Sequence, residues 1–368
     1  MKILHLTTHL NRGGISKYIL SVGIDFVKKG HEVFVCSSGG EMDEEFKVAG
    51  IKQKILPIKT KSELNPKLYW FLPNVIRWVR EQKIDVIHAH TRITQVIADW
   101  VFHLTRIPYV TTAHGFYKRR LGRRLLPAWG LRTIAISEAV GADLHETHRL
   151  TANQIRVIYN GLDLIELVNN FLKYQPRKVR EEYCFSEHDY VGGIIARLVP
   201  DKGHEFLIRA LKSLENEFPH LRLLIIGDGK HRSYLENLSN KLGLTDRIYF
   251  TGNLKDVAKP LAAIDLFVLP AVWREGFGLS IVEAMACQKP VVVTNIWALN
   301  TLIQNRVNGI LVEPRDTEDL ARAIRLFITD LALSKKIGIA GQETAHVRFS
   351  IDRMVQELET VYEEVLNG

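Results

Sequence analysis

An α/β chain built of two doubly wound halves is what the sequence predicts, and three observations carry that expectation. Short apolar runs alternate with longer segments of helical spacing through the first half. After a polar stretch near residues 169–187 the same alternation restarts. A length of 368 residues favours two hydrophobic cores over one. Uninterrupted apolar runs suit strands buried on both faces, and therefore parallel sheets joined by helical crossovers.

In the first half, residues 2–6, 33–36, 86–90, 109–112, 134–136 and 157–158 read as strands. In the second, the strand candidates are residues 191–196, 223–226, 248–250, 266–269, 291–293 and 310–312. The closing segment 352–365 places Met354, Val355, Leu358, Val361, Tyr362 and Val365 at the spacing of one helix face. In open α/β sheets ligands sit beyond the carboxyl ends of the strands, so the loops after these strands are where chemistry is expected.

Composition narrows the class. The opening MKILHLTTHL has no basic flank leading into a long apolar run, and no segment reaches the roughly 18 apolar residues of a membrane span. A cytoplasmic protein is expected. Cys36, Cys184 and Cys287 are too few and too scattered for a disulfide framework or a zinc site, and read as packing residues. The net charge of +8 divides unevenly: residues 1–165 hold 24 Lys+Arg against 14 Asp+Glu, the remainder 25 against 27. The first half, at +10, is the one expected to meet something anionic, against the alternative of a solvated basic face.

The richest loop follows residues 266–269. There an apolar strand enters the glycine-bearing turn of Glu275-Gly-Phe-Gly-Leu279 and then a helix carrying Val282, Glu283 and Ala286. Gly276, Phe277, Gly278 and Leu279 thus fall at a helix N-terminus, where unpaired N–H groups and the positive end of the helix dipole attract a phosphate. Glu275 and Glu283, eight residues apart, are suited to accept hydrogen bonds from sugar and ribose hydroxyls; alone, each would read as a solvated surface carboxylate. Arg197 and Lys202, after the first strand of the second half, offer a guanidinium fork and an ammonium to a diphosphate.

Gly13-Gly14 follows the opening strand and His114-Gly115 another. The two glycines let backbone amides approach a ligand, and His114 is a candidate hydrogen-bonding group. No G-x-G-x-x-G or G-x-x-x-x-G-K-[ST] is complete, which disfavours a dinucleotide dehydrogenase or a P-loop NTPase. His88-Ala-His90 with His114 raises a zinc site, but no H-E-x-x-H supports it and none is expected. No Asp-x-Asp is present to hold a metal against a diphosphate, so Arg197, Lys202 and the helix terminus are left to neutralise that charge.

Gly13-Gly14, His114-Gly115, Asn160-Gly-Leu-Asp163, Arg197 with Lys202-Gly203, Gly227-Asp-Gly229, Phe250-Thr-Gly252, the two glutamates Glu275 and Glu283, and Asn308-Gly309 together resemble the GT-B glycosyltransferases of family 4. That large retaining group includes lipopolysaccharide-core, capsule and mannosyl transferases, and the likeness spans nearly the whole chain. It implies two Rossmann-like domains whose parallel sheets face each other across a cleft. An acceptor-binding domain would cover residues 1–168 and the returning segment 350–368; a donor-binding domain would cover 169–349.

By the same resemblance, Arg197 and Lys202 bind the donor diphosphate and Glu283 the ribose hydroxyls. Glu275 and the amides of residues 276–279 hold the transferred sugar and β-phosphate. Gly13 and Gly14 approach the donor from the other domain, His114 contacts the sugar near the reacting carbon, and Asn253 and Leu254 lie near the base. The implied partners are a nucleotide-diphosphate sugar and a glycan or lipid-linked acceptor, with no cofactor, no metal and no nucleic acid.

The segment Tyr117-Lys-Arg-Arg-Leu-Gly-Arg-Arg-Leu-Leu-Pro127 sets Lys118, Arg119, Arg120, Arg123 and Arg124 among apolar residues, which suits an anionic membrane interface on the inner face of the cytoplasmic membrane. Residues 68–79, with Tyr69, Trp70, Phe71 and Trp78, are a second amphipathic candidate. The rival readings are a non-hydrolysing sugar-nucleotide epimerase or a phosphorylase of the same fold, a silent sugar-nucleotide binder, and a basic nucleic-acid-binding protein. The last lacks any recognisable binding module.

Overall fold

A computed structural model describes every residue except Lys61 and Leu64. The chain divides into two compact units, Met1–Gly161 with Ile351–Gly368, and Leu162–Ser350.

The first unit holds seven strands: β1 (Lys2–Leu6), β2 (Glu32–Ser37), β3 (Lys52–Ile55), β4 (Val86–Ala89), β5 (Tyr109–Ala113), β6 (Arg132–Ala135) and β7 (Ile155–Val157). All pair in parallel in the order β3-β2-β1-β4-β5-β6-β7. The unanticipated strand is β3. Its sequence KQKI sits at the sheet edge with no fully buried residue, so the apolar run that reveals an interior strand is missing.

One core of this unit gathers Ile3, Ile19, Val22 and Phe26 against Met354, Val355, Leu358 and Tyr362 of the closing helix Ile351–Asn367. Each large side chain buried there stabilises the unit by about 1.5–3 kcal/mol. Arg132 and Arg156 both reach Glu364 on that helix, and Lys29 and His31 both reach Glu359. On the opposite face Leu4, Phe34, Trp78, Val79 and Ile97 form the second core. Trp78 meets Phe34 edge-on at 5.9 Å and is a core residue, whereas Trp70 on the same helix, Lys67–Gln82, is 82% exposed.

The second unit holds β8 (Tyr190–Ile195), β9 (Leu221–Ile226), β10 (Ile248–Gly252), β11 (Leu266–Leu269), β12 (Val291–Thr294) and β13 (Ile310–Val312). They pair in parallel in the order β10-β9-β8-β11-β12-β13. Residues 162–168, grouped by sequence with the first half, enter the helix Leu164–Leu172. That helix packs on Ala258–Ala263 and Leu279–Ala286 of the second unit, which decides its allegiance.

Cys36 and Cys287 are buried, and burial pushes both thiols up to about 12. Cys184 is exposed with φ of 58°, so it occupies a turn and not a packing position. Among the described residues no helix is long and apolar enough to cross a membrane.

In both sheets the strand order reverses beside the first strand of the unit, between β1 and β4 and between β8 and β11. Loops leaving the carboxyl ends at such a reversal diverge to opposite faces and leave a crevice. The loops bearing Gly13-Gly14, Arg197 with Lys202, and residues 275–279 leave the sheets at these two places, whereas His114 follows β5 and Asn253 follows β10.

Candidate active site

In the second unit the loop after β8 is locked to the loop after β11. The Val272 N–H donates to the Asp201 carbonyl at 2.9 Å. Gly203 has φ of 72°, and a Cβ there would lie 1.8 Å from the Pro270 carbonyl oxygen, so both its conformation and its contact require glycine. The ends of β9 and β10 join the same assembly: Leu198 N–H donates to the Asp228 carbonyl at 3.0 Å, and Gly227 N–H to the Gly252 carbonyl at 2.9 Å.

This scaffold brings Lys202 and Glu275 together. Lys202 Nζ donates to Glu275 Oε2, and Glu275 Oε1 accepts the Gly276 N–H at 3.0 Å. The two side chains are only 19% and 15% exposed. Arg197, by contrast, is exposed at the exit of β8 and its guanidinium makes no hydrogen bond or ion pair among the described residues. A paired, half-sheltered ammonium and a free guanidinium on one loop are suited to gripping a diphosphate from two sides.

Gly278, with φ of 92°, caps the helix Leu279–Ala286 without any side-chain acceptor. The Ile281 N–H donates to the Gly278 carbonyl at 3.0 Å, and no side-chain cap closes the helix start to an incoming anion. Phe277 is 2% exposed and meets Phe349 edge-on at 5.5 Å, so its side chain anchors the turn. Glu283 lies half-buried one turn inside that helix. Asn253 and Leu254 are exposed just beyond β10.

In the first unit Gly13 is extended and Gly14 begins the helix Gly14–Lys28, again with no side-chain cap. A Cβ added to Gly14 would meet nothing within 4 Å, so no packing within the protein explains the absence of a side chain there. His114 follows β5 and is half-buried, its Nε2 3.1 Å from His90 Nδ1.

His90 Nε2 in turn lies 2.9 Å from Nδ1 of His5, a residue the sequence reading passed over. The signal for it was pairing: β1 and β4 set His5 directly opposite His88. Burial lowers the pKa of His5 and of His114 to about 3, and drives His88 and His90 well below the usual imidazole value. All four rings are neutral at physiological pH.

The imidazoles of His5, His88 and His90 offer nitrogens within 4.8 Å of one another. The ring nitrogens of His88 are taken by Tyr362 Oη and Thr112 Oγ1, both at 2.6 Å, and those of His90 by His5 and His114. Hydrogen bonds thus engage both nitrogens of His88 and of His90, and Nδ1 of His5.

The basic segment divides. Lys118, Arg119, Arg120 and Arg124 are exposed, beside Leu121 and Leu125 at 70% and 63%. Arg123 is a correction: at 7% exposure its guanidinium lies 4.3 Å from the ring centres of both Tyr117 and Trp129 and donates to Gln95 Oε1. Two aromatic faces stabilise a desolvated guanidinium, and those aromatics flanking the basic run were the available clue.

Two family models match the chain: the one described as Glycosyltransferase Family 4 over residues 12–166, and Glycosyl transferases group 1 over residues 177–344. The N-acetyl-alpha-D-glucosaminyl L-malate synthase of Bacillus anthracis is 26% identical over 98% of this chain and 96% of its own. The UDP-Gal:alpha-D-GlcNAc-diphosphoundecaprenol alpha-1,3-galactosyltransferase of Escherichia coli is 27% identical over 72% of this chain and 71% of its own. The crystal structure of Anabaena Alr3699/HepE in complex with UDP-glucose superposes with a TM-score of 0.84 at 25% identity, covering 99% of this chain and 100% of that one.

Proposed function

We propose, from the premise that this chain belongs to the GT-B glycosyltransferases and uses a nucleotide sugar, that it transfers a sugar with retention of anomeric configuration to a lipid-linked or cell-envelope glycan. The observation that carries the donor side is the loop assembly beyond β8 and β11, where Lys202, Glu275, Arg197 and an uncapped helix start occupy one strand-order reversal. The relative named for a lipid diphosphate acceptor and the complex with UDP-glucose support a uridine donor and a lipid-linked acceptor. An epimerase is not favoured, since the matching families and the named relatives are glycosyltransferases.

The diphosphate is gripped by Arg197, Lys202 and the amides of residues 276–279, the Gly276 N–H being released as Glu275 turns to the sugar, with no metal. As the sugar–phosphate bond breaks, negative charge grows on the leaving diphosphate. Arg197 and Lys202 stabilise that charge more than the ground state, which lowers the barrier. Glu283 accepts from ribose hydroxyls and Glu275 from sugar hydroxyls. Gly13 and Gly14 admit the donor close to the backbone of the first unit, and His114 contacts the sugar near its reacting carbon. The acceptor hydroxyl attacks from the face the diphosphate leaves, and the diphosphate takes its proton.

Lys118, Arg119, Arg120 and Arg124, interleaved with Leu121 and Leu125, dock the first unit on an anionic membrane surface where such an acceptor resides. Incubating the protein with a panel of nucleotide sugars, with and without a polyprenyl-diphosphate sugar, and measuring released nucleoside diphosphate tests the reading. Acceptor-dependent release, undiminished by EDTA and yielding an anomer of the donor's configuration, is expected. An inverted product, or release abolished by EDTA and restored by a divalent cation, overturns the corresponding part.

A further inference from the structure

The three rings His5, His90 and His114 make one continuous hydrogen-bonded file from the interior of the first unit to the exit of β5. Each link needs a single proton, so the file has only two consistent orders. In one, every ring donates inward: His114 Nε2–H to His90 Nδ1, His90 Nε2–H to His5 Nδ1. His5 then carries its proton on Nε2, which is buried and has no hydrogen-bond partner. In the other, every ring donates outward: His5 Nδ1–H to His90 Nε2, His90 Nδ1–H to His114 Nε2. Only a lone pair is then left unpartnered on His5.

Buried N–H groups without an acceptor are rarer and costlier in native structures than acceptors left short, so the outward order is the stable one. His5 is completely buried and His90 1% exposed, so water cannot relieve the wrong order. His88 does not compete for the file, because both of its nitrogens are held by Tyr362 and Thr112.

We propose that His90 and His5 are positioning residues that lock His114 in its Nδ1–H form, so that it meets the bound substrate as a neutral hydrogen-bond donor and not as a general base. The ligand chemistry this fits is a sugar hydroxyl accepting through its oxygen. This deepens the proposed function, since it rests on His114 touching the transferred sugar.

The locking is tested on the unmodified protein by long-range 15N–1H correlation spectra of histidine-labelled material, with resonances assigned from His114→Asn and His5→Phe. His114 is expected as the Nδ1–H tautomer between pH 6 and 8. An Nε2–H tautomer or an imidazolium in that range overturns the proposal, and so does a stoichiometric tightly bound metal on these rings.

Two variants extend the test to turnover. His90→Asn keeps a donor at the δ position, while His90→Leu removes both nitrogens. His90→Leu is expected to release His114 to a mixture of tautomers and lower kcat at least tenfold, with donor KM changed less than threefold, and His90→Asn to recover most of both. Equal kcat in His90→Leu and the parent overturns the positioning role. If no sugar transfer is found at all, the proposed function fails while the tautomer of His114 is still read from the spectra.

Discussion

Lys202 holds Glu275 in an ion pair that closes the loop after β8 onto the loop after β11, two residues 73 positions apart in the chain. Both are read as donor ligands, yet in the unliganded protein each neutralises the other. Replacing one strands a charge in a site less than one-fifth exposed. Lys202→Ala and Glu275→Gln are each expected to lower turnover by about 10²-fold or more. Because the pair acts as a unit, the double variant should be scarcely worse than either single. A double-variant cycle on nucleoside diphosphate release measures this, and additive losses would show the two act independently.

Arg197 separates function from stability. It is exposed and its guanidinium makes no hydrogen bond or ion pair among the described residues, so Arg197→Ala should shift unfolding free energy by no more than about 0.5 kcal/mol. The same change should cost about 10²–10³-fold in turnover, because a guanidinium is lost where the leaving group's charge develops. Arg197→Lys should recover part of the rate, as a point charge replaces a fork. Thermal melts beside kcat decide it: a large loss of stability with normal turnover would contradict the assignment.

The histidine file predicts how the first unit responds to acid. His5 and His114 have folded pKa values lowered to about 3, with His88 and His90 also well below normal. In the unfolded chain these rings protonate near pH 6.5, so below that value the unfolded state binds more protons. Stability is therefore fully present above about pH 6.5 and declines as pH falls toward 3, with a limiting slope of about 1.4 kcal/mol per pH unit for each ring that stays neutral. Urea unfolding followed through the first unit between pH 7.5 and 4.5 should show this decline. Replacing His5 by Phe should make the decline shallower, and an unchanged slope would exclude burial of a neutral His5.

What was legible in the sequence follows from where information is local. Interior strands such as β1 and β11 announce themselves because parallel strands are apolar on both faces, and the turn at Gly278 does so because a helix start at φ of 92° restricts residue choice. The edge strand β3 stayed hidden because Lys52, Gln53 and Lys54 face solvent or half of it. His5 stayed hidden because its partners are 83 or more positions away and become neighbours only through strand pairing. The pairing of Lys202 with Glu275 was equally beyond reach: each residue was legible as charged, but their contact depends on how closely Gly203 lets two loops approach.

Arg123 turns the membrane proposal into a discriminating experiment. Its neighbours Arg120 and Arg124 are exposed, whereas Arg123 is enclosed by Tyr117 and Trp129 and bonded to Gln95. Charge on the exposed pair contributes about 1 kcal/mol per residue to attraction for an anionic surface, screened within a Debye length of about 8 Å at physiological salt. Arg120→Gln with Arg124→Gln should therefore weaken binding to phosphatidylglycerol vesicles by about tenfold or more at low salt, with little change in melting temperature. Arg123→Gln should do the reverse, lowering stability by about 1–3 kcal/mol through loss of a desolvated cation between two rings, while vesicle affinity per folded molecule stays near the parent. Sedimentation with vesicles at several salt concentrations measures both. If the parent protein fails to bind anionic vesicles even at low salt, these arginines have no membrane role and their exposure must be explained by the acceptor alone.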